Sequence, residues 1–241
     1  MNLIVSGCSF TLWTYKTWPD YVIDLIPEFK LHQLAHPGAG NYYIRRSTID
    51  YILENNLDSS NTCVVIMWSG ISRRDVEVSS KFIELGMVDK KDCKITESSC
   101  FISSGGQLGE WNTVGPSKHY FRSLYKMTDQ KNHLKETIDN IKMLELFLES
   151  KNIKYFFTSY TNNFISKEEW AGDDYTAYFC DASFHPEKII NANWIFADDT
   201  QNSLHEVTKN AKMFSDDKFH PNTEAHKLFA EQIVLELKKT L

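Results

Sequence analysis

The alternation of short apolar runs with longer amphipathic segments most constrains how this chain can fold. Short runs occur at residues 3–5, 30–34, 63–68 and 153–158. Most of them are rich in apolar and β-favouring residues, as in buried parallel strands. Segments with helix-start signals or apolar residues at helical spacing occur at residues 18–26, 42–54, 134–148 and 222–237. Strands that alternate with helices predict a central parallel sheet covered on both faces, which is a three-layer α/β/α sandwich.

The length and composition predict one domain. The 241 residues, 42% of them hydrophobic, can form a sizeable core, so we expect a single domain over residues 1–241. Residues 79–118 are rich in serine, glycine and lysine and predict an insertion over one end of the sheet. Residues 160–215 are aromatic and acidic without regular spacing and predict an irregular segment.

Charge and hydropathy exclude several classes of partner. The net charge of −6 and the lack of a lysine or arginine cluster argue against a nucleic-acid partner. No apolar stretch approaches the roughly 20 residues that span a bilayer, so we expect no membrane partner. The N-terminus lacks the features of a signal peptide, so a cytoplasmic location is expected. The five scattered cysteines predict free thiols, with a Cys93–Cys100 disulfide as the alternative. The histidines lack close metal-ligand spacing, so neither metal nor cofactor is expected, and the oligomeric state is left open.

Two motifs at opposite ends of the chain carry the chemistry that we expect. Residues 7–11, Gly-Cys-Ser-Phe-Thr, follow the first strand, and residues 217–222 precede the last helix. A serine hydroxyl needs a base before it can attack a carbonyl. His220 can be that base for Ser9, and Asp217 can orient the imidazole. Taken alone, the first motif can be a turn that contains a serine, and the second can contain an aspartate that only caps a helix. Together, the two motifs favour catalytic roles for Ser9, Asp217 and His220.

A hydrolytic serine also needs hydrogen-bond donors for the oxyanion of its tetrahedral intermediate. Loops that follow parallel strands meet at one edge of the sheet, and three candidate donors belong to such loops. They are the backbone N–H of Ser9, the backbone at Gly38 and the side chain of Asn41. Asn41 can alternatively cap the helix that we expect to begin at Tyr42.

Together, residues 7–11, 38–41 and 217–222 resemble the motifs of the SGNH/GDSL hydrolase superfamily. The resemblance implies a flavodoxin-like three-layer fold and ester hydrolysis without a metal. By position, Ser9 resembles the nucleophile of that family, His220 its base and Asp217 the acid that orients the base. Gly38 resembles its oxyanion-hole glycine.

The chain departs from the family pattern at two places. Cys8 stands where the family often has aspartate, which should be tolerable because that position is outside the triad. The loop after the third strand, residues 68–75, has no asparagine to serve as an oxyanion donor. Losing one such donor can lower the rate by about 100- to 1000-fold.

Ser69, Asn41 or Arg73 can substitute for the missing asparagine. Ser69 and Arg73 are also our candidates for substrate binding, because a guanidinium recognises anionic groups. A surface ion pair between Arg73 and Asp75 or Glu77 is the alternative interpretation.

The resemblance and the triad predict a serine esterase that hydrolyses small acyl esters through an acyl-enzyme. O-acetyl groups on carbohydrate are the preferred substrates, because the resembled family acts on a broad range of esters and because the aromatic residues around Trp111 and in segment 170–194 can line a sugar-binding groove. Ordinary packing of those aromatic residues is the alternative. An acyltransferase with the same triad, and a non-catalytic binding module on the same fold, are the other functions that the sequence allows.

Overall fold

The computed structural model describes residues 1–71, 73–79, 93–95, 100–103, 130–160, 193–197 and 203–240. The strands in these ranges are β1 (Asn2–Ser6), β2 (Lys30–Gln33), β3 (Thr62–Trp68), β4 (Asp75–Val78), β5 (Cys93–Ile95), β6 (Cys100–Ser103) and β7 (Lys154–Ser159). The helices are α1 (Trp18–Leu25), α2 (Asn41–Glu54), α3 (Gln130–Ser150), α4 (Leu204–Ala211) and α5 (Thr223–Thr240).

The main sheet is parallel, with the strand order β2-β1-β3-β7. Every residue of β3 is buried, as its apolar sequence predicts for a central strand. A short extended segment continues the sheet beyond β7: the N–H of Phe157 donates to Asn193 O (2.9 Å), and the N–H of Ile195 donates to Phe157 O (2.8 Å). The predicted central parallel sheet is therefore confirmed.

Helices cover both faces of this sheet. The chain moves outward from β1 to β2 and then back across to β3, so right-handed crossovers put α1 and α2 on opposite faces. Helix α5 packs on α1, where the rings of Trp18 and Phe229 lie 5.8 Å apart. Helix α3 packs on α2. These contacts form the three layers, as predicted.

The N-terminus of α2 is capped from a distant strand. Asp75 in β4 accepts from the N–H of Gly40 (2.9 Å) and from the N–H of Tyr43 (2.8 Å). The alternative in which Asn41 caps a helix beginning at Tyr42 is therefore wrong, because Asn41 is itself the first residue of α2. The carboxylate also interacts favourably with the positive end of the helix dipole.

A small antiparallel sheet of order β4-β6-β5 lies beside α2. It begins at Asp75, ahead of the predicted insertion of residues 79–118, and sequence analysis missed its strands. Phe101 of β6 is fully buried, with its ring 5.4 Å from that of Tyr43 in α2. The rest of the insertion, including residues 80–92 and 104–118, is outside the described residues.

The expectation of irregular structure over residues 160–215 is wrong for α4. Ser203 caps this helix by accepting from the N–H of Glu206 (3.4 Å), and Leu204 is buried. Residues 161–192 and 198–202 are outside the described part, and they include most of the aromatic segment. Among the helices that the structure describes, none is long and apolar enough to cross a membrane.

Replacing the distant cap should destabilise the fold. We expect Asp75→Ala to lower the free energy of unfolding by about 1–2 kcal/mol, because two N–H groups of the α2 terminus lose their acceptor. Asp75→Asn, which retains one carbonyl oxygen, should lose less. Urea denaturation of these variants measures the effect, with Glu77→Ala on the same strand as the control. An Asp75→Ala loss no larger than that of Glu77→Ala would contradict the capping role.

Candidate active site

The turn after β1 presents Ser9 at the carboxyl edge of the sheet. The N–H of Thr11 and that of Leu12 both donate to Cys8 O (2.9 and 3.1 Å), which closes a single helical turn around Ser9. A Cβ atom on Gly7 would lie 2.2 Å from Thr11 Oγ1, so only glycine allows this close approach. Ser9 is 4% exposed.

The loop after β2 brings Gly38 to the same edge. The N–H of Ala39 donates to His36 O (3.0 Å), and Gly38 between them has a φ of 76°, a conformation that favours glycine. The N–H of His36 donates to Gly7 O (3.1 Å), which joins this loop to the turn of Ser9. Within the described residues, neither the N–H of Gly38 nor that of Ser9 has a hydrogen-bond acceptor.

Asp217 and His220 lie on a tightly closed loop between α4 and α5. The N–H of Ser215 donates to His220 O, and the N–H of Asn222 donates to Met213 O, both at 2.8 Å. Lys218 makes the bend with a φ of 58°, which side chains rarely adopt. These constraints hold the loop in one conformation.

Asp217 is held as a carboxylate. Its Oδ2 accepts from His220 Nδ1 (2.6 Å), and its Oδ1 accepts from the hydroxyl of Ser215 and from the N–H groups of Phe219 and His220 (2.8, 2.9 and 2.8 Å). Burial opposes the charge, but these hydrogen bonds outweigh it and hold the pKa of Asp217 well below its usual range.

The imidazole of His220 is neutral and has one unpaired nitrogen among the described residues. Because Asp217 is ionised, Nδ1 carries the proton that it shares with Oδ2, and Nε2 keeps a free lone pair. Nε2 is buried and has no partner in the part of the chain that is described. Burial lowers the pKa of His220, Asp217 raises it, and the charge of Arg73 lowers it, with a net value below the usual one.

The N-terminal turn lies against this histidine. The ring of Trp13 stacks on the imidazole of His220 at 3.9 Å, and the ring of Phe10 lies 5.3 Å from it. The Tyr15 hydroxyl donates to Pro221 O (2.6 Å). The two ends of the chain therefore meet, although no hydrogen bond joins the Ser9 hydroxyl to Nε2 in this structure.

Asn41 does not meet the expectation of an oxyanion donor. Its Nδ2 donates to Ser69 O and to Thr137 Oγ1 (both 3.1 Å), and its Oδ1 accepts from the N–H of Ser69 (2.8 Å). Both amide hydrogens are therefore used, and the side chain fixes the loop after β3. The hydroxyl of Ser69 is fully buried and unpartnered among the described residues.

Arg73 is buried at this edge of the sheet. Its guanidinium lies 5.2 Å from the centre of the Tyr160 ring. In the described part of the chain it makes no ion pair with Asp75 or Glu77, so the surface ion-pair interpretation is wrong. Sequence analysis gave no sign of this burial. Nor did it anticipate the contacts of Trp13 with His220.

The residues that the structure describes contain no cluster of three or more histidine, cysteine or acidic side chains suited to a metal ion. Cys8 and Cys63 are free, buried thiols.

Comparison with known proteins places this geometry in a fold class. No family model and no curated protein matches the chain. Among solved structures, a psychrotrophic esterase from Pseudoalteromonas sp. aligns over 99% of this chain and 97% of its own, with 12% identity and a TM-score of 0.51. An acetylxylan esterase from Geobacillus stearothermophilus aligns over 98% and 93%, with 16% identity and a TM-score of 0.51. A lipolytic protein of the G-D-S-L family from Veillonella parvula aligns over 100% and 99%, with 11% identity and a TM-score of 0.50.

These similarities extend over nearly the whole of both chains and establish the architecture. The chain has the fold of the SGNH/GDSL hydrolases, as the sequence motifs predict. Sequence identities this low establish the fold alone.

Opposite shifts in the pKa of His220 should follow from replacing its two charged neighbours. Asp217→Asn should lower that pKa further, because the carboxylate raises it, and Arg73→Gln should raise it, because the guanidinium lowers it. NMR titration of the imidazole measures both shifts. Asp216→Asn, which removes an exposed charge next to Asp217, is the control. Shifts of the same sign in Asp217→Asn and Arg73→Gln would contradict this electrostatic account.

Proposed function

We propose that this chain is a serine ester hydrolase in which Ser9, His220 and Asp217 form the catalytic triad. One observation carries the proposal: the Asp217–His220 hydrogen bond leaves an unpartnered Nε2 on an imidazole that packs against the turn of Ser9. A neutral imidazole with a fixed tautomer and a nearby hydroxyl is the arrangement that activates a serine.

In the first half of the reaction, the hydroxyl proton of Ser9 passes to Nε2 of His220 as Oγ bonds to the carbonyl carbon of the ester. The carbonyl π electrons move to the oxygen, and the N–H groups of Ser9 and Gly38, which have no acceptor among the described residues, bind this oxyanion. Asp217 stabilises the imidazolium. When the intermediate collapses, the bond to the leaving alcohol breaks and His220 gives that alcohol its proton.

In the second half, water takes the place of the alcohol. His220 removes a proton from the water as its oxygen attacks the acyl carbon on Ser9. The second tetrahedral intermediate then releases the carboxylic acid, and the proton returns to Oγ. No cofactor enters either half.

The similar structures support this assignment. The acetylxylan esterase has been solved as catalytic mutants of a serine early in its chain, of an aspartate, and of a histidine three positions after that aspartate. Asp217 and His220 have the same spacing, and Ser9 is also early in the chain. The Pseudoalteromonas esterase has been solved in a form inhibited by monoethylphosphonate, and phosphonates react with activated serines.

Small acyl esters, with O-acetyl groups on carbohydrate preferred, are the substrates that we propose. An aromatic surface lies next to the proposed base, where Trp13 stacks on His220 and the ring of Phe219 is 5.2 Å from it. Phe219 is 46% exposed. A sugar alcohol leaving from the acyl carbon can pack on this surface. The partner is thus a small-molecule or carbohydrate ester.

A fluorophosphonate probe should label the wild-type chain on Ser9. We expect Ser9→Ala to abolish labelling and to lower kcat for an acetyl ester by at least about 1000-fold, because no other hydroxyl takes the place of the nucleophile. Ser6→Ala is the matched control, since that hydroxyl is buried and unpartnered among the described residues. It should be labelled like the wild type. Detection of the labelled peptide by mass spectrometry identifies the site.

Other outcomes of this experiment select other functions. Labelling that persists in Ser9→Ala would show that another nucleophile reacts. An unlabelled, fully folded wild type would favour a binding module. Labelled protein that forms new esters from added alcohols faster than free acid would instead be an acyltransferase.

The aromatic surface should affect carbohydrate substrates selectively. We expect Phe219→Ala to raise KM for acetylated xylan several-fold while KM for ethyl acetate changes little, because the ethanol that leaves from ethyl acetate is too small to cover the ring. Leu228→Ala, which removes an equally exposed side chain from α5, is the control. Equal effects of Phe219→Ala on both substrates would exclude a sugar-packing role.

A further inference from the structure

Arg73 holds a positive charge inside the site, and within the described residues no carboxylate forms an ion pair with it, although Asp75 is near enough to attract that charge. Its side chain is 8% exposed, and its Nε and Nη1 are buried without a hydrogen-bond partner among the described residues. A guanidinium stays protonated in proteins. A buried charge with unfilled donors is strongly unfavourable unless an anion supplies the missing partner. The unpartnered Nε and Nη1 can therefore donate to an anion that approaches Arg73.

The guanidinium lies beside the turn of the proposed nucleophile. It packs 5.2 Å from the ring of Tyr160, which in turn lies 4.6 Å from the ring of Phe10. It also interacts with the thiol of Cys8. Cys8 and Phe10 flank Ser9 in the sequence, so the unfilled donors are close to the place where a substrate carbonyl would react.

The surrounding backbone fixes this position. The N–H of Arg73 donates to Gly70 O (3.1 Å). A Cβ atom on Gly70 would lie 2.8 Å from the hydroxyl of Tyr160, and one on Gly40 would lie 2.8 Å from Arg73 O. The loop after β3 thus fits closely against the loop of Gly40 and against Tyr160. A donor held this firmly needs little reorganisation when a negative charge appears.

We propose that Arg73 is an oxyanion donor of this site, acting together with the N–H groups of Ser9 and Gly38. The inference rests on the proposed esterase function. As Ser9 Oγ bonds to the carbonyl carbon, the π electrons move to the oxygen, and Nε and Nη1 of the guanidinium then gain the acceptor that they lack in the free protein. An interaction that strengthens only in the transition state accelerates the reaction. The guanidinium of Arg73 thereby supplies the oxyanion donor that an asparagine would supply, since residues 68–75 contain none.

A carboxylate or phosphate on the substrate is the competing anion. Arg73 also lines a cavity of about 450 Å³, whose lining contains two other arginines and the acidic residues Asp75, Glu77, Glu136 and Asp139, and an anionic substituent that entered there would meet Arg73. The two anions differ in a measurable way. An oxyanion forms on every ester, whereas a charged substituent is present only on some.

The experiment compares Arg73→Gln and Arg73→Lys with the wild type on a neutral ester, p-nitrophenyl acetate, and an anionic one, mono-p-nitrophenyl succinate. For Arg73→Gln we expect kcat to fall by about 100- to 1000-fold on both esters, with KM changing little. Arg73→Lys should lose less, because it keeps the charge. In Arg73→Ala, added guanidinium chloride at sub-denaturing concentration should restore part of kcat.

The neighbouring Arg74→Gln is the matched control. That arginine is also buried, but its Nε donates to His133 Nδ1 (2.8 Å) and its guanidinium pairs with Glu136. We expect Arg74→Gln to lower stability while kcat of the folded protein stays within a few-fold of the wild type.

Three results would overturn the inference. One is an unchanged kcat in Arg73→Gln, and another is a loss confined to the anionic ester, which would make Arg73 a receptor for a substrate carboxylate. The third is measured on the wild type and does not depend on a variant that folds. Phosphonylation of Ser9 should move the Nε–H proton resonance of Arg73 downfield, and an unmoved resonance contradicts the contact.

A failure of the proposed esterase function would give different results from a failure of the proposed role of Arg73. A wild type that is neither labelled nor active refutes both proposals together. A labelled, active wild type whose Arg73 variants behave like Arg74→Gln refutes the role of Arg73 alone.

Discussion

The pairing of β1 between β2 and β3 is the constraint on which the site depends. Because all three strands are parallel, the loops that follow them end at one edge of the sheet. The turn of Ser9, the loop of Gly38 and the loop of Arg73 are therefore neighbours. Helix α5 packs on α1 and brings the loop of Asp217 and His220 to the same edge, where the rings of Phe10 and Trp13 meet the imidazole.

Two opposite charges, those of Asp217 and Arg73, act on the imidazole of His220. Asp217 is ionised because four hydrogen bonds favour its carboxylate, and it fixes the imidazole tautomer. Burial and Arg73 keep the imidazole neutral in the resting protein, so Nε2 can accept a proton. In the acyl transfer that we propose, the imidazole becomes positive and the carbonyl oxygen negative. Asp217 then stabilises the first of these charges, and in our proposal Arg73 stabilises the second.

The sequence predicted the elements whose signals are local and missed those that depend on distant partners. The apolar run of β3 and the helical pattern that begins at residue 222, where Asn222 accepts from the N–H of Ala225 (3.0 Å), are local, and both elements were predicted. Asp75 looked like one charge of a surface cluster, because its partners at the start of α2 are more than thirty positions earlier in the chain. The same charged stretch concealed the burial of Arg73. The side chain of Asn41 can cap a helix or donate to an oxyanion. Its hydrogen bonds to Ser69 and Thr137, which are distant in the sequence, use both amide hydrogens instead.

We propose that Ser9 and His220 act as one unit although they are at opposite ends of the chain. A crystal structure of the protein after reaction with a phosphonate ester tests it most directly. Our account predicts a phosphorus atom bonded to Ser9 Oγ, with His220 Nε2 within hydrogen-bond distance, about 3 Å, of Oγ or of the phosphonate oxygen that replaces the leaving group. A phosphorus atom on any other residue, or an imidazole of His220 turned away from the adduct, would contradict it.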